Sequence, residues 1–96
     1  MRLVLRRTAK RDLDDARRWY EERRAGLGQE LLTCVEATLS TIRDHPHLFP
    51  RVDPRVRRAR TDRFPFGIFY LIDKETIRVF AILHNARGAH WWKSRL

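Results

Sequence analysis

The sequence predicts an α+β domain, in which an antiparallel hairpin of two helices packs on a small antiparallel sheet, in the order β-α-α-β-β-β. Two segments in the first half repeat apolar residues at helical spacing, and the second half alternates apolar and polar residues with a period of two. The 96 residues suit one domain, which we expect to span residues 1–96 without a linker.

The first half is predicted to form a strand and two helices. Residues 3–6 suit a short strand, and Thr8 is a candidate N-cap for the helix that follows. Gly26 and Gly28 end that helix, and a second helix is expected over residues 29–44. Apolar residues three or four apart form the stripes: Ala9, Leu13, Ala16 and Tyr20 in the first helix, and Leu27, Leu31, Val35, Leu39 and Ile42 in the second.

The second half is predicted to form three strands. A strand over residues 56–61 is rich in arginine, one over 64–73 is mostly apolar, and a polar turn leads into a third over 76–84. Alternation in the third strand puts Ile77, Val79, Ala81 and Leu83 on one face, and Phe80 and Ile82 on the other. Apolar residues on both faces indicate central strands. Residues 85–96 are expected to be irregular or to hold one short element.

The charge of the chain indicates an anionic partner. The sequence has 21 Lys and Arg against 12 Asp and Glu, a net charge of +9. Residues 51–96 hold 11 basic and 4 acidic side chains, a net of +7, so the partner surface is expected there. Arginine supplies 18 of the 21 cations, and its planar guanidinium suits phosphate or carboxylate. Nucleic acid, an acidic protein and anionic lipid are all candidate partners.

An arginine cluster opens the second half. Six arginines fall within thirteen residues: Arg51, Arg55, Arg57, Arg58, Arg60 and Arg63. Alternation places Arg58 and Arg60 on one face of a strand and Arg57 on the other. One interpretation is a site for phosphates or an acidic peptide, and the other is an edge strand whose charges prevent aggregation. Six arginines exceed what edge protection needs, which favours the binding site.

The sequence gives no support for metal, cofactor or membrane chemistry. The four histidines lack the convergent spacing of a zinc site, and no glycine-rich phosphate loop is present, so we expect neither a metal nor a cofactor. The single cysteine, Cys34, forms no disulfide within the chain, which is typical of a cytoplasmic protein. No apolar run approaches the roughly 18–20 residues of a membrane span, and the basic N-terminus lacks a signal-peptide core.

A few polar and aromatic residues could take part in chemistry or binding. His84 closes a strand and is either a proton donor or a structural residue. The tryptophans Trp19, Trp91 and Trp92 could stack on bases, although Trp92 is expected to pack the C-terminal segment against the core. The role of each therefore depends on where the fold places it.

Six short motifs span nearly the whole chain. They are Ala9-x-x-Asp12-Leu13, Gly26-Leu27-Gly28-x-x-Leu31-Leu32, His45-Pro46-x-Leu48-Phe49-Pro50, Val56-Arg57-Arg58, Arg63-Phe64-Pro65-Phe66-Gly67-Ile68-Phe69-Tyr70, and Ile82-Leu83-His84-x-x-Arg87 with Trp92 eight residues after His84. Their order resembles that of the RelE/ParE toxin superfamily, and within it the ParE-like, or plasmid-stabilisation, branch. The family pattern has an acidic residue and a proline where this chain has Gly88-Ala89.

The resemblance implies the toxin of a type II toxin–antitoxin system. Such a toxin is held inactive, in a heteromeric complex, by a small, acidic and partly disordered antitoxin. ParE-like toxins are DNA gyrase poisons, whereas RelE-like toxins are ribosome-dependent mRNA endonucleases. A net charge of +9 suits an acidic antitoxin in either case.

The two activities need different chemistry. Cleavage of RNA through its 2′-hydroxyl needs a base, an acid and cations at the phosphate. Arg58, Arg60 and Arg87 could supply the cations, and His84 or His90 the proton transfer. RelE-like enzymes commonly place a Tyr or His near the C-terminus, where this chain has tryptophans, and an indole cannot do that work. We therefore expect binding to gyrase, alone or together with DNA, and no catalytic residue. The first alternative is a metal-independent endoribonuclease that acts on ribosome-bound mRNA. The second is a non-toxic nucleic-acid-binding module.

The expected binding surface combines the arginine strand with the C-terminal segment. Its candidate residues are Arg57, Arg58, Arg60, Arg63, Arg87, Trp91, Trp92, Lys93 and Arg95. Arg58 and Arg60 are expected to be exposed, because they lie on the polar face of their strand.

Overall fold

The helices and strands follow the predicted order, with one strand more than expected. In the computed structural model, residues 1–87 and 91–96 are described, and this part of the chain forms five strands, two α helices and a short 3-10 helix. The elements are β1 Arg2–Leu5, α1 Arg7–Arg23, α2 Leu27–Asp44, β2 Arg51–Asp53, β3 Val56–Arg60, β4 Phe66–Asp73, β5 Thr76–His84 and a 3-10 helix Lys93–Arg95. The predicted α+β class is confirmed.

The five strands form a single mixed sheet in the order β1-β5-β4-β3-β2. β2 to β5 run antiparallel to one another, whereas β1 pairs with β5 in parallel, with Arg2 opposite Thr76. The prediction of a purely antiparallel sheet is therefore corrected at β1. The reason is topological, because the helical hairpin carries the chain to the far edge, and the meander from β2 back to β5 then ends beside β1. β5 and β4 are central strands, as their apolar faces predict.

β2 is the strand that the sequence did not predict. It has only three residues, it lies at the edge of the sheet, and Pro50 and Pro54 flank it. Proline cannot donate to a ladder and is tolerated at an edge, so the two prolines bound this strand without excluding it.

A β-bulge in β5 changes which side chains share a face. The register passes from Phe69 opposite Ala81 to Tyr70 opposite Val79, which leaves Phe80 as the extra residue. Phe80 and Ala81 both pack in the cluster on the helix-free side, together with Leu83. Ile82 packs on the helix side with Ile77 and Val79. The strict alternation predicted for this strand is therefore wrong beyond Val79.

The sheet is covered on both faces. The helix-side core is the larger, and its buried members are Ala9, Leu31, Val35, Ile42, Ala59, Phe64, Phe66, Ile68, Tyr70, Ile77, Val79 and Ile82. The helix-free face has a smaller cluster of Val56, Phe69, Leu71, Phe80, Ala81, Leu83 and Trp92. Trp92, 3% exposed, thus packs the C-terminal segment against the sheet, as predicted.

Thr8 does not cap α1, contrary to the sequence-based expectation. The helix begins at Arg7, and its N-cap residue Arg6 makes no side-chain capping bond. The Thr8 hydroxyl instead donates to the carbonyl oxygen of Phe80, at 2.7 Å. This carbonyl lies just beyond the last residue of β5 that pairs with β1, so the hydroxyl satisfies a backbone acceptor that has no strand beside it.

A carboxylate from α1 caps the start of α2. Glu21 accepts hydrogen bonds from the backbone N–H groups of Gly26, at 2.9 Å, and Gly28, at 3.0 Å. Gly26 has φ of 91°, a left-handed conformation that favours glycine. A Cβ at Gly28 would lie 2.7 Å from the backbone oxygen of Arg17, so this glycine permits the close approach of the two helices.

The Glu21 cap makes stability depend on pH in a defined direction. The hydrogen bonds from Gly26 and Gly28 hold the pKa of Glu21 below its ordinary value of 4.5. Its contribution is therefore fully present above that ordinary value and is lost as the pH falls through the lowered folded-state pKa. We expect Glu21→Gln to lower the free energy of unfolding near neutral pH. The gap between the free energies of unfolding of the unaltered chain and the variant should narrow in acid. Urea unfolding at several pH values measures the gap, and a gap that widens in acid would contradict the assignment.

The apolar stripe of α2 sets the stability of the helix-side core. Leu31 is completely buried, whereas Leu39 on the same stripe is only partly buried. Leu31→Ala should cost about 2–5 kcal/mol through its cavity, and Leu39→Ala should cost less. Chemical denaturation of both variants measures how much free energy of unfolding each one loses. Equal losses would show that α2 is oriented differently.

Candidate binding surface

The helix-free face of β3 has two arginines that we call the arginine face, Arg58 and Arg60. Their strand neighbour Ala59 packs in the helix-side core, and Val56 packs in the helix-free cluster. Alternation along β3 therefore directs Arg58 and Arg60 away from the helices, and Arg57 towards them, as predicted from the sequence. Arg60 is exposed, but Arg58 is half-buried, which corrects the expectation that both are exposed.

Arg58 lies across Gly67 of the neighbouring strand. A Cβ at Gly67 would be 3.2 Å from the Arg58 Cδ and 3.3 Å from its Cγ, so a larger residue here would push the Arg58 stem aside by a few tenths of an ångström. Arg58 is also directly opposite Phe69, whose ring stacks on that of Trp92 with centroids 6.0 Å apart. The Arg58 Nε is buried and has no hydrogen-bond partner among the described residues. The arginine face thus adjoins the C-terminal segment through Arg58, Phe69 and Trp92.

Arg57 has a structural contact on the helix side. Its guanidinium donates to the backbone oxygens of Phe49, at 2.7 Å, and His47, at 3.3 Å. The Tyr70 hydroxyl donates to the oxygen of Pro46, at 2.7 Å. Both side chains therefore hold the loop between α2 and β2 against the sheet, and a binding role for Arg57 stays a prediction.

Tyr70 is placed for structure rather than for proton transfer. Its side chain is completely buried in the helix-side core, and this burial raises its pKa to about 12. The hydroxyl is therefore protonated at neutral pH and faces away from Arg58 and Arg60.

Arg63 also lies apart from the arginine face. Its guanidinium pairs with Glu30 of α2, and it lies 5.1 Å from the ring centroid of Phe64. Because α2 covers the opposite side of the sheet, Arg63 joins the helix layer to the loop before β4. Its predicted role in binding stays a prediction.

The C-terminal segment brings three exposed candidates to the surface. The guanidinium of Arg87 lies 4.7 Å from the ring centroid of Trp91, and Trp91 is 53% exposed. Lys93 is exposed, with its Nζ 5.8 Å from the ring centroid of the buried Trp92. Arg87, Trp91 and Lys93 are therefore free to contact a partner, while Trp92 anchors the segment.

Arg95 fastens the C-terminal segment to α1. It pairs with Asp12, with 3.0 Å between Nη2 and Oδ1, and its Nη1 lies 3.3 Å from the Phe80 oxygen. Asp12 also accepts the backbone N–H of Ile82, at 2.9 Å. The hydrogen bond to Asp12 raises the pKa of Arg95 further above its ordinary value. The sequence did not predict this contact, since residues 12 and 95 lie near opposite ends of the sequence.

His84 presents a donor rather than a base. Its Nδ1 accepts the backbone N–H of Ala86, at 2.9 Å, so the neutral ring has its proton on Nε2. The ring lies 5.4 Å from that of Phe66, a member of the helix-side core, and is thus separated from Arg58 and Arg60. His90, the other histidine considered for catalysis, lies outside the described residues.

Two further properties of the described residues, 1–87 and 91–96, bear on the candidate functions. No group of three His, Cys, Asp or Glu side chains is placed to hold a metal ion there. Neither helix in this part of the chain has the length and apolar character needed to cross a bilayer.

The fold is that of the RelE/ParE-like toxins, as comparison with solved structures shows. A chain of the chromosomal ParDE TA system from P. aeruginosa superposes with a TM-score of 0.67 at 21% identity, covering 88% of this chain and 95% of that chain. The isolated E. coli RelE toxin superposes with a TM-score of 0.65 at 12% identity, covering 97% of this chain and 93% of that one.

The sequence itself assigns the family. The model of the ParE toxin of type II toxin-antitoxin systems, parDE, matches residues 3–88. The chain belongs to this ParE toxin family. A comparison with curated proteins gave no match.

The Asp12–Arg95 contact predicts how the C-terminal segment responds to substitution. Arg95→Gln removes the ion pair but keeps one hydrogen-bond donor, so the fold should persist while the segment loosens from α1. We expect acrylamide to quench the tryptophan fluorescence more strongly, because Trp92 becomes accessible. Arg43→Gln on the exposed end of α2 is the matched control. Unchanged quenching in Arg95→Gln would mean that Trp92 alone holds the segment.

Proposed function

We propose that this ParE-family chain is a toxin that acts by binding, with DNA gyrase as its target and a small acidic antitoxin as its inhibitor. The observation that carries the proposal is the composition of the arginine face, which offers guanidinium groups beside an aromatic anchor, with Tyr70 and His84 both turned elsewhere. Such a surface can hold an anionic partner but is not equipped with these two groups for proton transfer.

The charge and burial of Arg58 and Arg60 support an acidic partner. Arg58 is half-buried, its stem is fixed over Gly67, and its Nε lacks a partner among the described residues. A carboxylate that reached the guanidinium would form charge-assisted hydrogen bonds, which are about twice as strong as neutral ones. The net charge of +9 would speed association with an acidic antitoxin and with the gyrase–DNA complex alike.

One surface can serve both partners. Arg87, Trp91 and Lys93 lie on or beside the segment that Trp92 anchors next to Arg58. An antitoxin that covered this region would occupy the side chains of this protein that we propose bind the target. Neutralisation would then be competition for one surface, within a heteromeric toxin–antitoxin complex.

The mRNA endonuclease remains the second candidate, because the fold also matches that of the E. coli RelE toxin and because His84 and Arg87 lie close together. Induction of the chain alone separates the two. Relaxed or broken DNA with intact mRNA supports the gyrase assignment, whereas new mRNA 5′ ends with normal DNA topology would replace it. Healthy cells with neither change would favour the third hypothesis, a non-toxic nucleic-acid-binding module.

The double variant Arg58→Gln/Arg60→Gln tests the arginine face. Each lost charge-assisted contact should cost about 1.5–3 kcal/mol of binding free energy. We expect a large loss of gyrase inhibition and of affinity for the acidic protein that we propose as the antitoxin.

The matched control is Arg7→Gln/Arg11→Gln, which also removes two positive charges, but from exposed positions on α1. Thermal unfolding verifies that both variants fold. If both double variants weakened binding equally, the effect would be one of overall charge, and the site would have to lie elsewhere.

A further inference from the structure

A cleft of about 340 Å³ lies between α1 and the ends of β4 and β5. It exists because β1 stops at Leu5, opposite Val79, while β5 continues to His84, so that α1 rather than a strand runs beside the last residues of β5. The inner wall is apolar and includes Ala16, Phe66 and Ile82. The interpretations above use His84 and Arg87 at its rim, but none of them uses its apolar interior.

Trp19 forms the outer wall of the cleft and is unusually exposed for its size, at 50%. The Arg23 guanidinium lies 3.4 Å from the centroid of the Trp19 ring and donates to the Trp19 backbone oxygen at 2.9 Å. The Tyr20 ring is nearly perpendicular to the Trp19 ring, with the two centroids 4.9 Å apart. The indole is thus held in place on one side but left open on the other. Tryptophan, tyrosine and arginine are the residues most enriched at binding hot spots.

The polar groups around the cleft favour an acidic ligand on one side. His84 presents its Nε2–H, and Arg87 adds a guanidinium that is exposed apart from its contact with Trp91. On the α1 side, Asp12 is engaged by Arg95, whereas Asp15 is exposed, with its Oδ1 3.9 Å from the equally exposed Arg18. The free donors are therefore grouped at the β5 end of the cleft.

The cleft is continuous with the arginine face. Leu83 lines the cleft and also belongs to the helix-free cluster with Phe69 and Trp92. A peptide that crossed the helix-free face could therefore pass the end of β5 and reach Trp19 without leaving the surface of the protein.

We propose that the cleft receives a bulky apolar side chain from an acidic peptide segment, with a neighbouring carboxylate of that segment on Arg87 and His84. The segment is part of the antitoxin, so this inference rests on the proposed function and adds a second docking point on the helix side. An apolar anchor in a pocket with a flanking ion pair is the common pattern of protein–protein recognition. A nucleic-acid strand fits less well, because the exposed Asp15 at the α1 side of the cleft would repel a continuous row of phosphates.

The test uses the full chain and the acidic protein that we propose as its antitoxin, with affinities measured by isothermal titration calorimetry. Trp19→Ala should weaken binding at least tenfold, because it removes the outer wall. Leu48→Ala is the matched control, since Leu48 is another exposed large apolar residue, 65% exposed, in the loop after α2. It should bind like the unaltered chain, and thermal unfolding checks that both variants fold.

A second readout follows Trp19 directly. In a Trp91→Phe background, Trp92 is buried and Trp19 dominates acrylamide quenching. Addition of the acidic protein should protect Trp19 from the quencher. Equal affinities of Trp19→Ala and the unaltered chain, or unprotected Trp19 in the complex, would overturn the inference and leave the proposed function intact.

Two other outcomes are also decisive. If the unaltered chain failed to bind the acidic protein, the proposed neutralisation would fall, and this inference with it. If a short oligoribonucleotide protected Trp19 and the acidic protein did not, the cleft would be a nucleic-acid site instead.

Discussion

The backbone of β5 beyond the end of β1 is the constraint on which much of this structure depends. Pairing with β1 ends at Val79, and the peptide groups that follow still need partners, because an unpaired buried N–H or C=O is costly. The Thr8 hydroxyl, the Asp12 carboxylate and the Arg95 guanidinium supply them. One short stretch of strand edge therefore positions the start of α1, fastens the C-terminal segment and leaves the cleft beside it.

The two faces of the sheet are covered very differently, and this difference determines where binding can occur. Two amphipathic helices bury the helix side completely over the centre of the sheet, with Leu31, Val35 and Ile42 fully inaccessible. On the other side, Trp92 from a short segment covers a smaller apolar cluster. Space thus remains there for the exposed Arg60 and for Arg58, whose stem runs beside Gly67.

The sequence predicted the parts of the fold that depend on local pattern. The stripe of α2, the central position of β4 and β5, and the opposite directions of Arg57 and Arg58 all follow from periodicity. The bulge at Phe80, the parallel pairing of β1 and the contact of Asp12 with Arg95 could not be predicted in this way. Each depends on which distant segments meet, and a single sequence does not record that. For the same reason, the sequence could not show that Arg57 holds a loop whereas Arg58 does not. Both are arginines in one strand, and only the folded structure tells their contacts apart.

The parallel pairing of β1 also affects the order in which the molecule can form. Arg2 and Leu3 pair with Thr76 and Ile77, which are made 74 residues later. Contacts between residues so far apart in sequence make folding slow, and β1 cannot pair until β5 has been made. A chain interrupted before β5 would leave β1 without its neighbour and the helix-side core without Ile77, Val79 and Ile82. The two halves of the sheet therefore stay separate until β5 has been added between β1 and β4.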